Sequence, residues 1–264
     1  MYRQHFGLSA APLGKQQPQL FDSGQLATME QRFNWLLETP GIGLLTGEPG
    51  VGKTAVLRHL CRNVNPHRYR LVYTPETDFG RLDLYRSLAL ALDLEPAFRR
   101  AALWRQLKAR ITELVEVKNL LPVWLIDEAQ NLPREFFRDL PAFLNFAFDS
   151  EDKLCVWLIG HPTLNTTLRL SAFQALASRL RVRLHLEPPD TPERFAEMVA
   201  HSLKACGCHH NLMADTGLQM LYHASGAKPR QAGQLLQTAL QLASEQGFNH
   251  LPDELIEQAV EIHQ

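Results

Sequence analysis

Ile42-Gly43-Leu44-Leu45-Thr46-Gly47-Glu48-Pro49-Gly50-Val51-Gly52-Lys53-Thr54 joins an apolar run of strand length to a stretch of helical period. The eight residues from Gly47 satisfy G-x-x-x-x-G-K-[ST] in the strand-then-helix context that gives the pattern its meaning. Glycines at 47, 50 and 52 let the main chain bend so that successive N–H groups face one anion, and the N-terminus of the following helix adds its positive end. Lys53 suits the outer phosphates of a triphosphate as a point charge, and the Thr54 hydroxyl suits Mg²⁺. Gly47, Glu48, Pro49, Gly50, Val51, Gly52, Lys53, Thr54 and Ala55 are therefore the candidate nucleotide-binding residues, with ATP and Mg²⁺ as ligands.

Further along, Val123-Trp124-Leu125-Ile126-Asp127-Glu128 is an apolar strand that ends in two carboxylates, a Walker B pattern. Ligands of open α/β sheets gather at the C-terminal ends of strands, so Asp127 is placed to join Thr54 on the metal and Glu128 to polarise an attacking water. Five runs read as strands: Ile42 to Thr46, Arg70 to Thr74, Val123 to Asp127, Leu154 to Gly160 and Val182 to Leu186. All but the last are nearly continuous in apolar residues, as strands buried on both faces must be. Helical periodicity covers Lys53 to about Asn63, Leu82 to Leu92, Ala102 to Val117, Arg134 to Ala147 and Ala172 to Leu180. The alternation implies a three-layer α/β domain with a five-stranded parallel sheet.

After Glu187-Pro188-Pro189-Asp190-Thr191-Pro192 no strand-like run follows. Adjacent prolines cannot continue a ladder, whereas Asp190 or Thr191 can cap a helix with Pro192 in its first turn. Helices are expected over Pro192 to Ala205, Asp215 to His223, Pro229 to Glu245 and Pro252 to Ile262. The expected division is residues 1–187, an N-terminal segment plus the nucleotide-binding core, and 188–264, a small helical lid. The 264 residues are 45% hydrophobic and 21% charged, a composition that excludes a disordered or fibrous chain. A formal charge of −1 excludes a global basic field. No apolar run approaches the ~20 residues of a spanning helix, so no membrane insertion is expected. Four cysteines without a signal-peptide pattern suggest a reducing, cytoplasmic compartment.

The P-loop, the Asp-Glu strand end and the helical tail together resemble the AAA+ ATPases over essentially the whole chain. Tyr2-Arg-Gln-His-Phe6-Gly7-Leu8, Leu44 to Thr54, Ile126-Asp-Glu-Ala-Gln-Asn-Leu132 and Ser225-Gly-Ala-Lys-Pro-Arg230 look like the ExeA-like branch. That branch holds a secretion-associated ATPase and the TniB, TnsC and MuB type of transposition ATPase. The resemblance implies that Arg230 is the sensor 2 arginine and that His161 stands at the sensor 1 position, where the branch commonly has Gln or Thr; a solvated loop histidine is the alternative. It also implies an arginine finger that acts on a neighbouring subunit's site. Arg179 matches best, with Arg181 the alternative, while Arg183 reads more simply as a solvated strand face. The candidate catalytic set is thus Glu128, Lys53, Arg179 and His161.

The same resemblance implies self-assembly into a ring or filament and a DNA-binding transposition regulator that assembles on duplex DNA in the ATP state and recruits a transposase or integrase. The chain's stopping after the lid, with no anchor or further module, is what points to that role. The alternatives are a cytoplasmic secretion ATPase acting on a membrane partner and a nucleotide-gated scaffold with negligible hydrolysis. From Arg99 to Lys118, six basic residues outnumber Glu113 and Glu116, whereas residues 242–264 carry five acids and no Lys or Arg. The basic stretch can serve DNA, or it can be the solvated face of a helix that packs through Leu103, Leu107, Ile111 and Leu114. Cys206-Gly207-Cys208-His209-His210 lacks the paired spacing of a zinc site and reads as a helix C-terminus capped by Gly207.

Overall fold

A computed structural model describes residues 1–16, 19–78 and 80–263. Five strands, β1 (Ile42–Gly47), β2 (Tyr69–Thr74), β3 (Leu121–Ile126), β4 (Cys155–Gly160) and β5 (Leu180–Leu186), form one parallel sheet in the order β2-β3-β4-β1-β5. Central β1 and β4 are buried at every residue, and β3 at all but its first. Edge strands β2 and β5 alternate, because only one of their faces is covered. The helices are α1 (Tyr2–His5), α2 (Leu26–Glu38), α3 (Lys53–Arg62), α4 (Arg81–Ala91), α5 (Arg100–Glu116), α6 (Arg134–Phe143), α7 (Thr163–Leu168), α8 (Gln174–Ala177), α9 (Pro192–Ala205), α10 (Asp215–Ser225), α11 (Pro229–Gln246) and α12 (Asp253–His263). The expected α/β class, strand count and parallel arrangement are those observed.

The chain groups into two compact units, each with its own core. The first comprises Ala27–Glu48 and Leu57–Leu186 and contains the whole sheet. Trp124 and Tyr85 lie at its centre with Phe136 and Phe143, Tyr85 and Phe143 having ring centroids 4.8 Å apart. The buried Trp124 indole donates to Thr74 Oγ1 at 3.0 Å, which satisfies both groups. On β4, Trp157 stacks on Phe33 of α2 at 5.3 Å. Its ring also lies flat against Gly43 of β1, where a β-carbon would stand 2.6 Å from it.

The second unit comprises Met1–Leu26, Pro49–Val56 and the chain from Glu187. Residues 1–26 therefore group with the C-terminal helices, which differs from the expected division at 187/188. The reason is local. Phe6, Leu8 and Ala10 are too few to make a core and are buried in the same cluster as Phe195, Leu236 and Ala239. The segment is also tied by hydrogen bonds, with Ser9 N–H donating to Cys206 O at 2.8 Å and Leu13 N–H to Ser202 Oγ at 2.6 Å. At the end of α9, Gly207 has φ 102° and Cys208 N–H donates to Leu203 O at 3.0 Å, the left-handed glycine cap expected there. All four cysteines are unpaired thiols, and burial pushes Cys61 up to about 11 and Cys155 up to about 12.

Two expected helices are shorter than their periodicity. The run from Arg134 stops at Phe143, and a bridge between Phe146 and Glu151 then closes a turn in which Ala147, Phe148 and Asp149 have φ of 45°, 58° and 65°. The run from Ala172 is a 3₁₀ turn plus one turn of α8, because Leu180 already pairs with Ile42 in β5. Replacing Gly43 by alanine forces a methyl into the Trp157 ring and is expected to lower stability by about 1–3 kcal/mol. Urea unfolding followed by tryptophan fluorescence measures this, and an unchanged midpoint would contradict the packing.

Candidate functional site

Strand β1 runs through Gly47 and Glu48 into the loop that starts α3, so the sequence motif falls where strand becomes helix. Gly50 and Gly52 have φ of 85° and 107°, values that residues with a β-carbon rarely adopt. Helix α3 begins at Lys53, with Val56 N–H donating to Gly52 O at 2.9 Å and no acid in its first turn. Lys53 is only 8% exposed. A lysine at a helix N-terminus adds its charge to the positive end of the helix, a combination that suits an anion. The tail contributes Arg230, second residue of α11, whose N–H donates to Gly50 O at 3.1 Å. A β-carbon on Gly50 would stand 3.2 Å from that of Arg230. Residues far apart in sequence, the glycine loop and the tail arginine, thus lie side by side.

The carboxylate pair stands at the end of β3, in the sheet's own unit. Asp127 is 4% exposed. Its Oδ2 accepts from the Tyr73 hydroxyl and its Oδ1 from Glu128 N–H, both at 2.9 Å, while its own N–H donates to Thr74 O at 3.0 Å. Burial, then the hydrogen bond to Asp127, pushes the Tyr73 hydroxyl well above the ordinary phenol range, which keeps it a donor. Glu128 is left-handed, with φ 50° and ψ 38°, and its carbonyl accepts from Thr77 Oγ1 at 3.0 Å. That conformation carries strain of about 1–3 kcal/mol and turns the side chain off the strand direction. Its Oε2 accepts from Gln130 Nε2 at 2.6 Å.

His161 follows β4 directly. Its N–H donates to Gln130 Oε1 at 2.9 Å, its Nε2 lies 3.5 Å from Glu48 Oε2, and its Nδ1 lies 3.1 Å from Thr163 Oγ1. Asn165 of α7 reaches Thr46 Oγ1 at the end of β1, at 3.2 Å. Tyr73, Gln130, Thr77 and Asn165 are site neighbours that the motifs alone do not select. The signal for Tyr73 was its place near the end of the strand paired with β3, where it lies opposite Leu125. Gln130 lay in full view within Asp127-Glu-Ala-Gln-Asn.

Of the three arginines around β5, Arg179 and Arg181 lie at the other end of the sheet, where the strands begin, and Arg183 lies midway along β5, opposite Leu44. Arg181 and Arg183 are exposed while Val182 and Leu184 are buried, the expected alternation. Arg179 donates to Pro141 O at 3.0 Å and to Asp149 Oδ2 at 2.8 Å, and Arg181 pairs with Asp152 at 2.6 Å. Both arginines line a cleft of about 250 Å³ with Lys153 and the start of β1. In the basic stretch, Arg100 pairs with Asp139 at 2.7 Å, Arg110 with Glu113 at 2.9 Å and Lys118 with Glu113 at 3.2 Å. Lys108 donates to the Ala142 and Asn145 carbonyls. Leu103, Leu107, Ile111 and Leu114 are buried, as the packing reading of that helix requires. Among the described residues no group of His, Cys, Asp and Glu is arranged to hold a metal on its own. No helix among them is long and apolar enough to cross a membrane.

A parallel sheet of this order, with a glycine-rich loop between β1 and α3 and an Asp-Glu pair ending β3, defines a P-loop nucleotide-binding protein. The chain belongs to the AAA domain family, whose profile matches residues 36–168. It is 31% identical to General secretion pathway protein A of Aeromonas hydrophila, in a match that covers 95% of this chain and 46% of that one. Among solved structures, Cdc6p of Pyrobaculum aerophilum superposes with a TM-score of 0.70 at 19% identity, covering 97% of this chain and 70% of the other. The Aeropyrum pernix ORC1 protein, solved in complex with DNA, gives 0.69 at 17% identity, covering 94% and 67%. These two likenesses establish the fold.

Because Gly50 is left-handed and abuts Arg230, Gly50→Ala is expected to cost about 1–2 kcal/mol. The nucleotide-free variant should melt at a lower temperature than the native chain, and equal melting would show that the loop tolerates a β-carbon.

Proposed function

We propose that this chain is a magnesium-dependent ATPase that couples the state of its nucleotide to self-assembly. The observation that carries this is the buried Asp127 beside a left-handed Glu128 at the C-terminal end of β3, the end of the sheet from which β1 leaves for the glycine loop. The residues present fit the group: a buried ammonium, a helix start without acids and a carboxylate held by two donors. Magnesium, when bound, supplies charge neutralisation at the phosphates. Thr54 and Asp127 would hold it, while the loop amides and Lys53 bind the phosphate oxygens and Arg230 adds a second cation beside Gly50. Glu128 accepts the proton of the attacking water through an oxygen of its carboxylate. His161 serves as the polar group after β4, and Arg179 as the residue offered to a neighbouring subunit, with its contacts to Asp149 and Pro141 exchanged on assembly.

For the biological role, the match to General secretion pathway protein A supports a cytoplasmic secretion-type ATPase that acts on a membrane partner. The chain spans 46% of that relative, so its length does not separate this role from a transposition role. The ion pairs of Arg100, Arg110 and Lys118 also leave less free charge for a phosphate backbone than the sequence count suggests. The second reading is the transposition regulator of the TniB, TnsC and MuB type, assembling on duplex DNA and recruiting a transposase. Exposed Arg99, Arg105 and Arg183, together with the fold likeness to a DNA-bound ORC1, favour it. Turnover measured with and without duplex DNA separates the two, since the secretion reading expects no stimulation.

Glu128→Gln should keep ATP binding while turnover falls by ~10²-fold or more. Lys53→Ala should weaken ATP binding by roughly 10- to 100-fold, the loss of a charge-assisted contact. Fluorescent-nucleotide titration and phosphate release check both, and equal affinity in Lys53→Ala and native protein would contradict the assignment. Mixing inactive Arg179→Ala with inactive Glu128→Gln subunits should restore turnover, because each then supplies what the other lacks; no recovery at any ratio would remove Arg179 from a role in trans.

A further inference from the structure

Gln130 lies in the 3₁₀ turn Ala129–Asn131 that follows Glu128, and its side chain makes two contacts of opposite polarity. One end meets Glu128 Oε2 at 2.6 Å, the other meets the main-chain N–H of His161 at 2.9 Å. Chemistry fixes the amide orientation. A main-chain N–H only donates, so it requires Oε1, and that leaves the NH₂ group to face an ionised carboxylate that only accepts. The position before His161 is Gly160, where a β-carbon would come within 2.4 Å of Gln130 Oε1 and 3.3 Å of the Ala129 and Gln130 nitrogens. The absence of a side chain there is what lets the amide seat. His161 in turn lies 3.5 Å from Glu48, so Glu48, His161, Gln130 and Glu128 form one continuous series of contacts.

Glu128 is an exposed side chain with three rotatable bonds, and its strained main chain alone does not fix where the carboxylate points. A donor on one oxygen does: it holds the group while the second oxygen stays available to a water. We propose that Gln130 is a positioning residue that fixes the Glu128 carboxylate to the end of β4, so that the segment after β4 sets the alignment of the general base. The inference rests on the ATPase reading above and adds a residue to it. Glutamine is required because the task needs a donor and an acceptor at the end of one side chain; no hydroxyl or carboxylate of that reach supplies both to these partners.

The test uses Gln130→Ala, Gly160→Ala and their combination in the full chain. Each single change is expected to lower kcat by ~10- to 100-fold through misalignment of the base. KM for ATP should stay within about two-fold, since no ground-state contact is removed. The double variant should be little worse than Gln130→Ala, because the 2.4 Å overlap made by Gly160→Ala is with the amide that is already gone, and the Ala129 and Gln130 nitrogens at 3.3 Å need yield by only tenths of an ångström; a merely structural role would make the losses multiply. Independently of turnover, the Gln130 side-chain amide signals in the nucleotide-free protein should shift in Gly160→Ala and in Glu128→Gln. Normal kcat in Gln130→Ala, multiplying losses, or amide signals indifferent to both changes would each overturn the inference. If the native chain shows the amide coupling but no turnover, the ATPase reading falls and the catalytic role of Gln130 falls with it.

Discussion

A buried strand that must give way to a helix within five residues, while its loop amides stay turned toward one point, constrains everything else in this molecule. Gly50 and Gly52 meet that constraint through left-handed backbone, and the price is specificity of sequence, since few other residues tolerate those angles. Lys53 then enters α3 nearly buried. The Gly50 carbonyl is used by the N–H of Arg230, so the loop conformation and the position of the α11 start are set together. A β-carbon at residue 50 would disturb both.

The second constraint is the end of β3. Asp127 is buried and accepts two hydrogen bonds, one from its own neighbour's main chain and one from Tyr73 on the adjacent strand. Sheet pairing delivers the Tyr73 hydroxyl, so edge strand β2 belongs to the site as well as to the fold. Glu128 leaves the strand through a left-handed turn, and Gln130 reaches back to it from the next turn. Strain at Glu128, absence of a side chain at Gly160 and the polarity of one amide thus act on the same carboxylate.

The strands and the phosphate loop were legible in the amino-acid sequence because their signals are local. Short continuous apolar runs such as Leu154 to Gly160 have the length and composition of strands buried on both faces, and G-x-x-x-x-G-K-[ST] carries its own geometry. What the sequence did not disclose was settled at longer range. Helix α2 is not among the helices expected from the sequence, although Met29, Phe33, Leu36 and Leu37 are buried at helical spacing and Asp22 Oδ1 accepts from the N–H of its first residue, Leu26, at 3.3 Å. Residues 1–26 join the C-terminal helices through Phe6 and Leu8, a tertiary choice that no periodicity reports. The positive count between Arg99 and Lys118 overstated the free charge, since Asp139 and Glu113 neutralise much of it from elsewhere in the fold or one turn away. Gln130 was visible as a letter, yet its meaning depends on β4 ending beside it.

Membership of the AAA domain family gives the chain a nucleotide-binding architecture, and the chain's own residues supply a consistent set of groups for it. In the proposed site a glycine-bent loop, one lysine and a metal held by Thr54 and Asp127 would grip a triphosphate. Isothermal calorimetry of the purified chain with ATP, in the presence and absence of magnesium, tests it most directly. The account predicts saturable binding of one ATP per chain that weakens by at least roughly ten-fold when magnesium is chelated. Absence of binding heat at any magnesium concentration, or an affinity indifferent to magnesium, would contradict it.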